Sequence, residues 1–198
     1  MLNEYVVLDI ETTGLSRSRH RITEIAAVHV KKGKIVSEFQ TLVNPGQPIP
    51  RFITRLTGID DEMVRDAPLV DAVLPRLNSF LKNHIIVAHN ASFDYGFLRH
   101  NFETYLNMEL KNSKLCTRKL ASRLLPELPS KKLSCLCEHF EIENADAHRA
   151  MSDVLATVKV FQEFHKMLES ANIKKKADVL MFESLPIAKC FRLIEERR

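Results

Sequence analysis

Five residues of this 198-residue chain have the types and settings that metal-dependent hydrolysis needs. Asp9 and Glu11 close the run Tyr5-Val6-Val7-Leu8-Asp9-Ile10-Glu11. Asp94 lies in IVAHNASFDYGFL, and His148 and Asp153 lie in AHRAMSDVLAT. Gathering four carboxylates is unfavourable, because like charges repel and raise one another's pKa. A pair of divalent cations offsets that charge. Carboxylate oxygens suit Mg2+ or Mn2+ rather than a thiolate-loving metal. Two such ions about 3.5–4 Å apart stabilise the attacking and departing oxygens of an in-line displacement. Hydrolysis also needs a base for water, and a histidine with an ordinary pKa of about 6.5 is poised for that at neutral pH. The set points to phosphodiester hydrolysis without a serine or cysteine nucleophile.

Local pattern predicts how these side chains are held. In a strand, side chains alternate faces, so Asp9 and Glu11 project from the same side with Cα atoms about 6.6 Å apart. Val6, Val7, Leu8 and Ile10 make the strand apolar on both faces, where an unpaired acid is costly. Thr12-Thr13-Gly14 is a turn signal, which places the acids at the strand's C-terminal end. Asp94 follows the apolar Ile85-Ile86-Val87-Ala88 and falls at the start of a helix over 93–106. Taken alone, it reads as an acid favoured by the helix dipole; the other acids change that reading. Five helical steps separate two residues by about 140°, so His148 and Asp153 do not share a helix face. The helix is therefore expected to begin near Arg149, with Asp153 in its first turn and His148 reaching over from the loop. Val154, Val158, Phe161 and Leu168 form the apolar stripe of that helix.

Together with RITEIAAV, RLTGI and CTRKLASRLLPELPSKKLSCLCEHFEI, these segments resemble the DEDD family of 3′-to-5′ exonucleases, in particular its histidine branch, DEDDh. That branch includes the proofreading epsilon subunit of bacterial replicative DNA polymerase. The resemblance runs from about Glu4 to about Glu169. It implies an α/β, ribonuclease H-like fold, a mixed five-stranded sheet flanked by helices. It also implies that Asp9, Glu11 and Asp153 hold a first metal, that Asp9 bridges to a second supported by Asp94, and that His148 is the base. Substrate contacts carried over are the backbone around Thr12 at the terminal nucleotide, Leu56 and Thr57 near the last bases, and Leu15 on a sugar or base. The epsilon subunit has a histidine where Thr57 stands, so that contact differs here.

The expected order is strands at 5–10, 22–30 and 34–43, and helices near 50–56 and 68–82. A strand at 85–89, the helix at 93–106 and a strand at 113–116 follow, then helices at 117–125, 131–139 and 150–169. Three early strands followed by alternation suit a mixed sheet. The expected division is an exonuclease domain over 1–170 and an extension over 171–198. Residues 172–198 carry seven Lys/Arg against four Asp/Glu, leaving 22 against 21 elsewhere. Lys174-Lys175-Lys176 and Arg197-Arg198 are candidate phosphate contacts, although a solvated tail is at least as good a reading. Val179, Leu180, Met181, Phe182, Leu185, Ile187 and Phe191 predict that the tail packs on the domain or on a partner. Arg118, Lys119, Lys131 and Lys132 are candidates for tracking a strand, though such charges are usually just solvated.

No run approaches the ~18 uninterrupted apolar residues of a membrane span, and MLNEYVVLD lacks a basic leader. Cys116, Cys135, Cys137 and Cys190 lack a zinc spacing and read as reduced thiols of a cytoplasmic protein. The expectation is an exonuclease acting on single-stranded 3′ ends with two Mg2+ or Mn2+ ions, DNA favoured over RNA, and a DNA polymerase subunit as an optional partner. The alternatives are an exoribonuclease of the same family and a polymerase- or helicase-docking subunit with little activity of its own.

Overall fold

The computed structural model of the chain describes residues 2–144 and 147–196, without the side chains of 195 and 196. Arg197 and Arg198 lie outside the described residues. The elements are β1 (Glu4–Thr12), β2 (Ile22–Lys31), β3 (Lys34–Leu42), α1 (Arg51–Thr57), α2 (Asp61–Val64), α3 (Val70–Leu81), β4 (Ile86–Ala88), α4 (Ser92–Leu106), β5 (Lys114–Cys116), α5 (Thr117–Leu124), α6 (Leu133–His139), α7 (Ala150–Ser170), α8 (Lys176–Ser184) and α9 (Ile187–Glu196). The expected elements are all present, with ends shifted by a residue or two. The four-residue α2 is too short to give a helical period, and α8 and α9 resolve the tail into two helices.

The strands form one mixed sheet in the order β3-β2-β1-β4-β5. β1–β2 and β2–β3 pair antiparallel, while β1–β4 and β4–β5 pair parallel. Central β1 is covered on both sides. Tyr5 and Val7 join the cluster containing Val154, Val158, Phe161 and Leu168 of α7. Val6, Leu8 and Ile10 join the cluster of Val73, Leu74 and Leu77 from α3 with Phe97 and Phe102 from α4. The period-2 alternation of β1 thus divides the two halves of the core. Its odd face, carrying Asp9 and Glu11, is the α7 side. β3 is an edge strand, largely exposed.

The parallel pairing of β1 with β4 covers only Val6↔Ile86 and Val7↔Val87. Beyond it, the C-terminal ends of the two strands diverge, and this opening is where open α/β sheets place ligands. Helices α8 and α9 seat on the α7 side: Ile173, Val179, Phe182 and Cys190 are buried in the same cluster as α5 and α7. Arg123 of α5 fastens the turn between them by donating from Nε and Nη2 to the Leu185 carbonyl at 3.1 and 2.6 Å. The four cysteines are free thiols, Cys137 buried and Cys135 half-buried. Among the described residues, no helix is long and apolar enough to cross a membrane.

Candidate active site

The opening at the end of β1 collects the five expected residues. Asp94, in the first turn of α4, is buried, and its Oδ1 accepts a hydrogen bond from the Ile10 backbone N–H at 3.3 Å. That N–H lies past the last β1–β4 pair, so the acid takes up a donor which the sheet leaves unpaired. Glu11, His148 and Asp153 present ligand atoms all within 4.8 Å of one another. Asp153 stands in the first turn of α7, where its Oδ2 accepts from the His148 N–H at 3.2 Å and its Oδ1 from Asn144 Nδ2 at 2.8 Å. His148 is exposed on the loop before α7 with φ +67°. A non-glycine residue in the left-handed region costs local energy and is held there by its surroundings, here the Asp153 carboxylate.

Electrostatics reveal how unfavourable this site is without a cation. Burial raises the Asp9 carboxyl well above its ordinary value, and Asp94, Glu11, Asp153 and Glu24 push it further the same way. Glu11 is raised to about 8, first by burial and then by Asp153, Glu24 and Asp94, with Arg149 opposing. Asp94 is raised to about 7 by burial, against the backbone donors it accepts from. Asp9 is therefore close enough to Asp94, Glu11 and Asp153 to feel the charge of each. All-oxygen donors in such surplus negative charge fit hard divalent ions.

Glu24 and Arg149 were not anticipated as site residues. Glu24 on β2 stands opposite Glu11 in the β1–β2 register and is 1% exposed. It accepts from Arg149 Nε at 3.3 Å, Arg149 Nη2 at 3.1 Å and the Ala150 N–H at 3.1 Å. Gln40 Nε2 adds a fourth bond at 3.0 Å. Arg149 provides no side-chain cap for α7, so a carboxylate from the sheet satisfies an otherwise orphaned N–H at the positive end of the helix dipole. A lone acid within the apolar run Ile22-Thr23-Glu24-Ile25-Ala26-Ala27 was the available signal. Asn144 also escaped notice; nothing in its local sequence marks it.

Asn90, with φ +68°, borders two cavities. One, of about 450 Å³, is lined by His148, Asp153, Asn144, Arg118 and Lys132. The other, of about 650 Å³, is lined by Leu15, Arg17, Phe93 and His100. Leu15 is 85% exposed there. Lys119 instead pairs with Glu183 of α8 at 3.4 Å, and Lys131 donates to the Leu128 carbonyl, so neither faces the groove freely. Thr12 is buried, its Oγ1 donating to the Gly14 carbonyl at 2.8 Å, which leaves its backbone as the part able to meet a ligand. Leu56 is exposed on α1. Gln47, ahead of that helix, donates to Thr13 Oγ1 at 2.9 Å and ties the segment to the end of β1. Thr57, expected with Leu56 near the last bases, has a buried side chain. It is 3% exposed, and its hydroxyl donates to the Ile53 carbonyl and accepts from the Ile59 N–H. It closes the end of α1.

The sequence profile of the exonuclease family, RNase T, matches residues 6–161. The chain belongs to this family, the DEDD 3′-to-5′ exonucleases. It is therefore a nuclease, a phosphodiester hydrolase of a family that works with divalent metal. It is 44% identical over 176 residues to the DNA polymerase III PolC-type of Caldanaerobacter subterraneus subsp. tengcongensis, covering 89% of this chain and 12% of that one. A putative bifunctional exonuclease/endonuclease of Mycobacterium tuberculosis is 43% identical over 173 residues, 83% of this chain and 26% of that protein. The chain thus spans about an eighth of the polymerase relatives it matches. Exonuclease X in complex with 5′-overhanging duplex DNA superposes with TM-score 0.68 at 29% identity, covering 89% of this chain and 99% of that one. Escherichia coli exonuclease I with a dT13 oligonucleotide shares the fold, with TM-score 0.74 and 20% identity over 90% of this chain and 45% of that one.

Proposed function

We propose that this exonuclease removes nucleoside 5′-monophosphates from the 3′ end of single-stranded DNA by two-metal hydrolysis. The observation that carries the reading is the convergence of Asp9, Glu11, Asp94 and Asp153 on one opening, three of them with carboxyls raised far above their ordinary range. Asp9, Glu11 and Asp153 would hold a first divalent ion, Mg2+ or Mn2+, and Asp9 with Asp94 would hold a second. Such ions would supply positive charge to the attacking and leaving oxygens. His148 accepts the proton of the attacking water at an imidazole nitrogen, being exposed and held beside Glu11 and Asp153. Arg118 and Lys132 run along the cleft on the His148 side and suit successive phosphates. Leu15 with Phe93 and exposed Leu56 offer apolar surface to the terminal sugar and base, beside the backbone of Thr12.

DNA is favoured over RNA because the Exonuclease X relative, at 29% identity, was captured on DNA. Likeness to PolC-type polymerases supports a proofreading or repair setting in the cytoplasm, with a polymerase as a covalent or docked partner. Residues 1–170 form the exonuclease unit and 171–198 an extension, whose helices α8 and α9 pack on that unit. The test is digestion of 3′-labelled and 5′-labelled single-stranded DNA and RNA with Mg2+, Mn2+ or EDTA. Expected is a metal-dependent ladder shortening from the 3′ end, faster on DNA and absent in Asp9→Ala. His148→Ala should keep metal binding while slowing cleavage ~10²–10⁴-fold. Parental activity in His148→Ala would remove the base assignment. Faster loss of RNA would redirect the substrate to RNA, and no cleavage of either would favour a docking role.

A further inference from the structure

A different cluster lies at the opposite end of β1. Val6 pairs with His29 across β1–β2, and the Val6 N–H donates to the Ile85 carbonyl at 2.9 Å. The sheet therefore brings Glu4, His29 and His84, two residues ahead of β4, to one place. Their ligand atoms all lie within 4.8 Å of one another, and all three residues are half-buried. Glu4 Oε1 is 3.0 Å from His29 Nε2, and the His29 and His84 rings stack with centroids 4.5 Å apart. His84 is pinned at both backbone groups: its N–H donates to the Leu81 carbonyl at 3.1 Å, and its own carbonyl accepts from Asn112 Nδ2 at 2.8 Å.

We propose that Glu4, His29 and His84 form a second metal site, for one Zn2+-class transition ion, distinct from the carboxylate site. Two imidazoles and one carboxylate favour such an ion over Mg2+, which prefers oxygen donors and keeps its waters. Three protein ligands leave a coordination position for water. The alternative is that Glu4 simply pairs with His29 and with Lys31, whose Nζ is 3.7 Å away. Against it, His29 Nε2 is buried and makes no well-directed hydrogen bond despite the 3.0 Å approach to Glu4. Two ligands of one ion show this relation, because each donor points at the ion rather than at its neighbour. Lys82 and Lys176 act on His84 as like charges and weaken the site without blocking it. Lys31 is about half-exposed and free to swing into water.

Glu4 and Glu11 lie seven steps apart along β1, about 23 Å at the usual strand rise. The ion would therefore not touch the scissile phosphate. Joining β1, β2 and the start of β4, it would stabilise the sheet, because binding to the folded form alone raises the melting temperature.

The test uses the full chain carrying Asp9→Asn and Asp153→Asn, which disables the carboxylate site. Zn2+ titration by calorimetry should give one equivalent bound, resistant to a tenfold excess of Mg2+, with a raised melting temperature. Adding His84→Ala, or separately Glu4→Gln, should abolish both the uptake and the rise while leaving the metal-free melting temperature nearly unchanged. Glu4→Gln serves where His84→Ala fails to fold, since Glu4 is partly exposed. No Zn2+ uptake in the Asp9→Asn, Asp153→Asn protein, or uptake that survives both further substitutions, overturns the proposal.

Discussion

Glu24 offers the sharpest test of how this site is built, because it is not itself an expected ligand yet holds the segment that carries His148 and Asp153. The perturbations are Glu24→Ala and Glu24→Gln. Removing one partner of a fully buried ion pair costs about 3–5 kcal/mol. The Arg149 side chain is 37% exposed and keeps access to water, so the ionic part falls to about 1–2 kcal/mol. Glu24→Ala also strands the buried Ala150 N–H, for about 1–3 kcal/mol more. The total, about 2–5 kcal/mol, corresponds to a fall of roughly 5–15 °C in melting temperature for a domain of this size. Glu24→Gln keeps the volume and one acceptor, so about 1–2 kcal/mol is expected.

The catalytic effect should exceed the stability effect. Arg149 and Ala150 lie between His148 and Asp153, and small misplacements of such groups cost up to ~10²-fold in rate. Expected on a single-stranded oligonucleotide with saturating Mn2+ is a kcat/KM loss of about tenfold for Glu24→Gln and about a hundredfold for Glu24→Ala. A merely structural acid would not alter titration of the centre. Glu24 raises the Glu11 pKa while Arg149 lowers it. Freeing the arginine in Glu24→Gln should therefore move the acid limb of the pH–rate profile to lower pH. Parental melting temperature, rate and acid limb in Glu24→Gln would refute the reasoning.

The raised carboxyls make a second prediction. Glu11 near 8 and Asp94 near 7 lie above ordinary carboxylates, so between about pH 4 and pH 8 the metal-free fold binds more protons than the unfolded chain. Their contribution to stability is full below that window and is lost as pH rises through 7 and 8. Adding Mn2+ should expel those protons and raise the melting temperature more at pH 8 than at pH 6. Calorimetry at pH 7 in buffers of different ionisation enthalpy checks the release, and binding without proton release contradicts it. For the C-terminal helices, Phe182→Ala should cost about 3–5 kcal/mol in urea unfolding, since its side chain is fully buried against the α7 cluster. A cost below about 1 kcal/mol would mean that α8 does not share the domain's core. In the active-site loop, Gly14→Ala should lower activity and stability, because an added Cβ would meet the His20 ring at 2.6 Å. Parental values in both assays would show that the turn yields freely.

Much of this protein was legible before any fold was in hand. The alternation of β1, the apolar stripe of α7 and the break between His148 and Asp153 depend on spacing within single segments, and each reappears in the structure. Asp9, Glu11, Asp94, His148 and Asp153 stood out because polar groups interrupt apolar runs or sit at element ends. The orientation of the Thr57 hydroxyl is not legible in this way. Its neighbour Leu56 and the RLTGI context suggest contact, but whether a hydroxyl faces out or closes its own helix depends on the helix's final turn.

The sequence by itself determined which segments become strands and helices, which faces are apolar, and where the acids fall along them. Only the tertiary structure decided that β1 lies between β2 and β4, that Glu24 caps α7 from across the sheet, that Asp94 accepts from Ile10, and that Glu4, His29 and His84 meet. Periodicity records that a face must be buried without recording what buries it. Contacts between residues 84 or 126 positions apart, such as Asp94 with Ile10 and Ala150 with Glu24, exist only once strand order and register have placed them together.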